Sequence, residues 1–308
     1  MKHIFIINPT AGKGKFYAEI KPKIEECCKR NGVDYEIVAT KGPRDGVEIV
    51  KSRAASGEEM RFYACGGDGT LYEIVNGAYG FKNAQVAVIP LGSGNDFIRL
   101  FGTKEDFLNL DNVVNGVPVE LDVIKCGDEI AINQCSMGMD AEVCARQADF
   151  KKLPLMSGET AYAAAAVYSL ARKVKNTFTI SVDDGEPFTW DCIFCVSGNS
   201  RWYGGGFKAC PDAMPDDGLL DFILVEKKCN RIKLLTLLNK YKAGLHTDWD
   251  MTHVVRGKKL RIQCARPAAV NVDGECSYVQ DCTFEIVERG ITFVVPKGSD
   301  FLNFRTQR

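Results

Sequence analysis

The chain has 308 residues, is 45% hydrophobic and 26% charged, and carries a net charge of −1. That length favours two cores over one, the composition is that of a folded protein rather than a disordered one, and the charge balance argues against sequence-independent binding of nucleic acid. Met1-Lys2-His3 runs directly into a strand, so no leader is read. The longest apolar helical stretch, Ala161 to Leu170, is about half of the ~20 residues that span a bilayer, so a cytoplasmic protein is expected. The first predicted strand, His3 to Asn8, is continuously apolar, as in a parallel sheet covered on both faces. It opens into Asn8-Pro-Thr-Ala-Gly-Lys-Gly-Lys15, a loop before a helix over Phe16–Arg30, with spacing that does not match a Walker A motif. A second strand, Tyr35–Ala39, ends at Thr40, and a helix follows from about Arg44 to Ser56.

The third strand, from Met60, delivers Cys65-Gly66-Gly67-Asp68-Gly69-Thr70-Leu71, with a helix from Leu71 to Tyr79. Glycines on a strand-to-helix turn let backbone N–H groups approach a bulky anion, and the helix adds its positive end. Asp68 would repel bare phosphate, so on this exposed turn it suits a Mg²⁺ ion or a hydroxyl awaiting activation. The fourth strand, Val86–Ile89, ends in Pro90-Leu-Gly-Ser-Gly-Asn-Asp-Phe97. Four strands each followed by a helix make a doubly wound α/β sheet, and every unusual loop falls on its carboxyl edge.

From about Pro118 the pattern changes to short alternating strands with Gly and Asp turns, which predicts a β-sandwich over 119–296. Thirteen cysteines are scattered through it and the first domain. The one CxxC, Cys192 and Cys195, lies on a predicted strand, where three residues' separation puts the sulfurs on opposite faces. Asn199 to Gly206 is a glycine-rich loop, Met214-Pro-Asp-Asp-Gly-Leu219 reads as a turn before a strand, and Asn271-Val-Asp-Gly-Glu275 reads as a hairpin. A similar Asp183-Asp184-Gly185-Glu186 string sits in a different hairpin. The three histidines show no ligand spacing. Residues 146–175 hold six basic side chains against Asp149 and Glu159, with a helix over Glu159–Lys175 capped by Ser157. That segment reads as a packed helix with a basic end, or as an edge that attracts anionic lipid through residues such as Lys152, Arg172 and Lys173.

The set NPTAGKGK, Thr40, GGDGT and PLGSGNDF resembles the diacylglycerol kinase catalytic domain family, in its bacterial soluble lipid kinase branch, essentially from end to end. The resemblance implies a lipid kinase that phosphorylates a lipid hydroxyl, most simply that of diacylglycerol, with ATP as donor and Mg²⁺ as cofactor. Another lipid alcohol such as undecaprenol, or a sphingoid base, stays open. A soluble NAD kinase-like enzyme and a non-catalytic nucleotide and lipid sensor are the more distant readings. It implies that ATP lies against Asn8, Pro9, Thr10, Ala11, Gly12, Thr40, Gly66, Gly67, Asp68, Gly69, Thr70, Leu71, Tyr72 and Ser93. Ala11, Tyr72 and Ser93 depart from the family's usual Ser, Asn and Thr. It implies an acidic cluster of Asp68, Asp96 and Asp122 around the transferred phosphoryl group, and a general base at Glu275 that takes the lipid hydroxyl's proton, a task suited to a buried carboxylate. It implies a structural Mg²⁺ on the Asp217 carboxylate and the carbonyls of Met214 and Leu219. The acceptor is expected at a membrane surface, in the cleft between the domains. The last residues, 297–308, are expected to return to the first domain, with Phe301, Leu302 and Phe304 docking there. A homodimer is compatible with all of this.

Overall fold

A computed structural model describes residues 1–9, 15–150 and 175–306. Of the sequence expectations, Thr10, Ala11, Gly12, the basic helix with Lys152, Arg172 and Lys173, and the side chain of Phe304 lie outside the described residues.

The described chain forms two units, Met1–Asp122 with Glu288–Arg308, and Val123–Val287. In the first unit, β1 (Lys2–Ile7) lies between β2 (Tyr35–Ala39) and β3 (Met60–Gly66), and β3 pairs with β4 (Ala84–Pro90), all parallel. The order β4-β3-β1-β2 reverses direction at β1 and β3 and leaves a crevice at their carboxyl ends. Ile4, Phe5, Ile6 and Ile7 are all buried, at about 1.5–3 kcal/mol each relative to exposure. Both faces are covered. Helix α1 (Lys15–Asn31) lays Ile20, Ile24, Cys27 and Cys28 on a cluster with Ile7, Tyr63 and Ile89. Helices α2 (Asp45–Ala54) and α3 (Asp68–Ala78) pack closely at Gly77, where a Cβ would stand 2.7 Å from that of Val50.

A 3₁₀ turn, Phe97–Leu100, and short helices α4 (Lys104–Leu108) and α5 (Leu110–Val114) lead to β5 (Val117–Cys126). Arg61 is buried but spans from Gln85 to the carbonyl of Val114 at 2.7 Å, which satisfies the buried C-terminal end of α5. The chain returns in the last part of β13 (Glu275–Val295), where Thr292 and Phe293 pair in parallel with Gln85 and Val86. The last helix described, α8 (Asp300–Thr306), buries Phe301 against the Phe101 ring at 4.7 Å.

The second unit is β-rich: β6 (Glu129–Ala131), β7 (Gln134–Gly138), β8 (Asn176–Val182), β9 (Phe188–Gly198), β10 (Leu220–Glu226), β11 (Thr252–Gly257) and β12 (Lys259–Val272). Its two layers share strands. β12 pairs with β8 along Leu260–Gln263 and with β7 along Val270–Val272, and its register shifts between those halves. β9 likewise pairs with β8 near Phe188–Cys192 and with β7 and β10 beyond Phe194. Such bends are how long strands pass from one layer of a sandwich to the other. The sequence pattern suggests short strands at 260–264, 268–272, 283–287 and 291–295, but the first two belong to one continuous β12 and the last two to one continuous β13.

The bend in β9 corrects the reading of the CxxC pair. Val225 pairs with Phe194 and Glu226 with Cys192, so Ile193 is an extra residue. The alternation slips there, and the Cys192 thiol, instead of facing apart, comes near enough to that of Cys195 to raise it. Burial, with that contact second, holds the Cys195 thiol well above its usual range. Two helices of this unit escape the sequence reading. These are α6 (Met139–Phe150) and α7 (Arg231–Lys242), the latter capped by the Asn230 side chain on the Lys233 amide at 2.9 Å.

Candidate functional site

The first unit gathers its unusual loops at one sheet edge. The Asn8 amide bonds the carbonyl of Cys65, and the Thr40 amide bonds that of Ile7, so the ends of β1, β2 and β3 are laced together. Asn8, Pro9 and Thr40 are half-buried on that edge. The Gly66 carbonyl accepts the amides of Leu91 and Gly92 at 2.8 and 3.0 Å, which joins the GGDGT turn to the loop after β4. The two loops touch through backbone. A Cβ on Gly92 would stand 2.4 Å from the Gly67 Cα, and one on Gly66 would stand 2.1 Å from the Thr70 Oγ1. Glycine is required because the space is already filled.

Asp68 is the first residue of α3, and its carboxylate closes this joint. Oδ2 accepts the Asn95 amide at 2.8 Å and Oδ1 the Asp96 amide at 2.9 Å. The side chain is half-buried, so the exposed turn expected from sequence is corrected to a clamp between two loops. Burial first, and then the Asp96 charge, push its carboxyl above the usual range, and the two amides pull it back. Asn95 takes a left-handed φ of 53° and bonds the Gly92 carbonyl at 2.7 Å, a conformation that asparagine tolerates. Asp96 is buried and accepts from Arg99 Nε at 3.0 Å. A hollow beside this joint is lined by Gly67, Asp68, Asn95, Phe97 and Ile98 among others.

The other expected nucleotide residues divide. Ser93 is exposed on its loop and Gly69 in the first turn of α3, whereas Thr70, Leu71 and Tyr72 are buried. Asp122 is buried and accepts the Arg289 amide at 2.8 Å. Among the described residues, no three His, Cys, Asp or Glu side chains are placed to hold a metal, so Asp68, Asp96 and Asp122 do not form a ready ion cage. Glu73 is a residue the sequence reading missed. Its two oxygens accept the Arg44 and Gly46 amides at 2.8 and 2.9 Å, so α3 caps α2 and fixes the chain after Thr40.

In the second unit, Asp273 and Gly274 form the two-residue turn between β12 and β13, at φ 47° and 104°. Glu275 follows and is exposed, not buried as a general base was expected to be. The anchor is its neighbour. The Asp273 carboxylate accepts the amides of Ile132 at 2.6 Å, Asn133 at 3.1 Å and Gln134 at 2.8 Å. Those residues in turn hold the glycine-rich loop, through Asn133 Nδ2 on the Trp202 carbonyl and Gln134 Nε2 on that of Ser200, both 2.8 Å. The turn bearing Glu275 and the loop 199–206 are thus one hydrogen-bonded assembly. Close by, Asp140 lies in the first turn of α6, buried with the Tyr203 hydroxyl at 3.3 Å. Burial pushes its carboxyl up to about 6, against the hydrogen bonds of the Ala141 amide and the Tyr203 hydroxyl.

The turn 214–219 does not fit the implied Mg²⁺. The carboxylate implied as its ligand is that of Asp217, and there Oδ2 is taken by the Arg256 guanidinium while Oδ1 accepts the Leu219 amide at 3.1 Å. Arg256 also holds Asp221 at 2.7 Å. The site already has its cation, and a divalent ion beside a guanidinium is repelled. Met214 is buried, with its sulfur against Arg201 Nη2 at 3.1 Å.

Comparison with known proteins follows this division. Residues 2–126 match the diacylglycerol kinase catalytic domain, and residues 133–295 match the YegS C-terminal NAD kinase beta sandwich-like domain. A diacylglycerol kinase of Staphylococcus carnosus is 28% identical over 294 residues, 95% of this chain and 94% of that protein. One of Bacillus subtilis is 28% identical over 298 residues, 95% of each chain. A crystal structure of a diacylglycerol kinase from Bacillus anthracis superposes with a TM-score of 0.69 at 20% identity, covering 96% of this chain and 97% of that one, and so shares the fold.

Proposed function

The chain belongs to the diacylglycerol kinase catalytic domain family, and on that premise we propose that it transfers the γ-phosphoryl group of ATP to a lipid hydroxyl, with diacylglycerol the acceptor and phosphatidic acid the product. The observation that carries the reading is the joint between Gly66-Gly67-Asp68 and Gly92–Asp96 at the sheet's switch point. ATP phosphates lie against that edge, at the positive end of α3, with Asn8, Pro9, Thr40 and Ser93 around the nucleotide. Thr10, Ala11 and Gly12 belong to the same proposed set. Gly69, Thr70, Leu71 and Tyr72 contribute through their backbone.

Mg²⁺ held by the ATP phosphates would supply charge neutralisation for the moving phosphoryl group. Asp68 keeps the two loops closed, so that the amides around them stay aimed when charge develops. Asp96 belongs to the same acidic edge, and Asp122 fixes the chain at Arg289. The acceptor oxygen forms a bond to the γ-phosphorus as the bond to the β,γ-bridging oxygen breaks, and ADP leaves. The hydroxyl proton passes to the Glu275 carboxylate, which is exposed and held by the Asp273 anchor.

The test is transfer of labelled γ-phosphate to a panel of dispersed lipid alcohols, namely diacylglycerol, undecaprenol and a sphingoid base, with each product identified by mass. Diacylglycerol is expected to be phosphorylated fastest. Glu275→Gln should keep ATP affinity and lose about 10²-fold or more of transfer. Near-wild-type turnover in that variant, where chemistry limits the rate, removes Glu275 as the base. No transfer to any lipid alcohol removes the reading.

A further inference from the structure

Helix α7 carries two apolar faces, and only one of them is used. Leu234, Leu237 and Tyr241 pack on the cluster of Ile193, Phe194, Phe207 and Met251. Ile232, Leu235 and Leu238, at three-residue steps that span about 120° of the helix, are 75%, 48% and 38% exposed. The helix ends in a turn that extends this face. Gly244, at φ 78°, bonds the Tyr241 carbonyl at 3.0 Å, the Leu245 amide reaches back to Lys240 at 2.9 Å, and Leu245 emerges 63% exposed. Of the nine large hydrophobic side chains exposed among the described residues, four fall within 232–245. Scattered exposure is ordinary, but a cluster this dense marks a contact surface.

The charge around the cluster chooses the occupant. Residues 227–247 hold six basic side chains, Lys227, Lys228, Arg231, Lys233, Lys240 and Lys242, and no acidic one. Lys228 is paired with Glu226 at 2.7 Å and Lys227 bonds the Cys229 carbonyl, while Arg231, Lys233, Lys240 and Lys242 are exposed on the helix itself. A second copy of the chain would set this basic face against itself in a two-fold dimer, at a repulsive cost. Arg231 and Lys242 share the side of the helix that carries Ile232, Leu235 and Leu238, and long-stemmed cations beside an apolar strip match phosphate headgroups above acyl chains.

We propose that α7 and the turn at Gly244–Leu245 are the surface by which this protein settles on an anionic lipid bilayer. The helix lies in the plane of the interface, its outer leucines and Ile232 among the acyl chains and Arg231 and Lys242 at the headgroups. No described helix is long and apolar enough to cross a membrane, so the contact is a peripheral one. The proposal deepens the lipid-kinase reading and rests on it, because an acceptor that resides in a bilayer has to be met there.

Flotation of the full chain with vesicles of equimolar phosphatidylglycerol and phosphatidylcholine, against vesicles of phosphatidylcholine alone, tests it without any catalysis. Wild type should float with the anionic vesicles and only weakly with the neutral ones. Ile232→Ser combined with Leu235→Ser should lower that binding at least about tenfold, and Arg231→Gln with Lys242→Gln should remove most of the salt-sensitive part. Both variants alter exposed side chains, and an unchanged melting temperature checks that they fold. Wild-type vesicle binding by both variants overturns the proposal. So does a wild-type dimer that the apolar variant converts to monomer while its vesicle binding stays unchanged. Failure of the lipid-kinase reading looks different: anionic vesicles are bound as expected, but no dispersed lipid alcohol is phosphorylated.

Discussion

Replacing Asp68 with alanine separates a clamp from a purely chemical role. The carboxylate receives the amides of Asn95 at 2.8 Å and Asp96 at 2.9 Å, and alanine leaves both donors in a half-buried joint. A buried donor that loses its acceptor costs about 1–3 kcal/mol, and relief from the neighbouring Asp96 charge offsets part of the pair. A net loss of about 1–3 kcal/mol is expected, concentrated in the loop rather than spread through the fold. Asparagine does no better, because its amide nitrogen would face one of the two N–H groups. Amide hydrogen exchange is the direct assay. Protection at Asn95 and Asp96 should collapse in Asp68→Ala, that of β1 and β3 should persist, and transfer should fall by about 10²-fold or more. Unchanged protection at both amides, with or without transfer, refutes the clamp.

Gly92→Ala puts a Cβ 2.4 Å from backbone at Gly67, which cannot swing aside, so a loss of about 1–3 kcal/mol and weaker nucleotide binding should appear in melting and titration. Asp140→Asn should change how stability depends on pH. The folded carboxyl sits at about 6 against an ordinary 3.8, so the folded state keeps a proton that the unfolded chain gives up. Stability therefore falls as pH rises from about 4 to about 6, by at most about 3 kcal/mol. The asparagine variant should be the more stable protein at pH 8 and lose that advantage below pH 4, and denaturant titration at both pH values reads the difference. Melting of the nucleotide-free protein should be indifferent to Mg²⁺, because Arg256 already occupies Asp217 Oδ2 and Asp221 Oδ1. Arg256→Gln should cost about 1–3 kcal/mol, less than a fully buried pair because Arg256 is half exposed, and Mg²⁺ should recover part of it. A Mg²⁺-dependent melt in wild type that Asp217→Asn abolishes would restore the metal site.

The amino-acid sequence determined whatever is settled within one turn or one strand. Continuous apolar runs fixed β1, β3 and β4, and their flanking glycines placed the GGDGT and GSGND loops at strand ends before helices. Those signals are local because a parallel strand needs both faces apolar, and a tight turn needs a residue that tolerates it. Tertiary structure decided which of those residues meet. Asp68 is 27 residues from the amide it holds, Arg256 is 39 from Asp217, and Asp273 is 141 from Ile132, and nothing near those residues in sequence marks their partners. It also decided where local rules fail. One extra residue in β9 turned two cysteines to the same face, and a 3.6-residue period cannot say which leucines of α7 face a core when two sides of the helix are apolar. Only the packing of Leu234, Leu237 and Tyr241 against the β layers leaves Ile232, Leu235 and Leu238 outside, because a helix can bury one face at a time against one sheet.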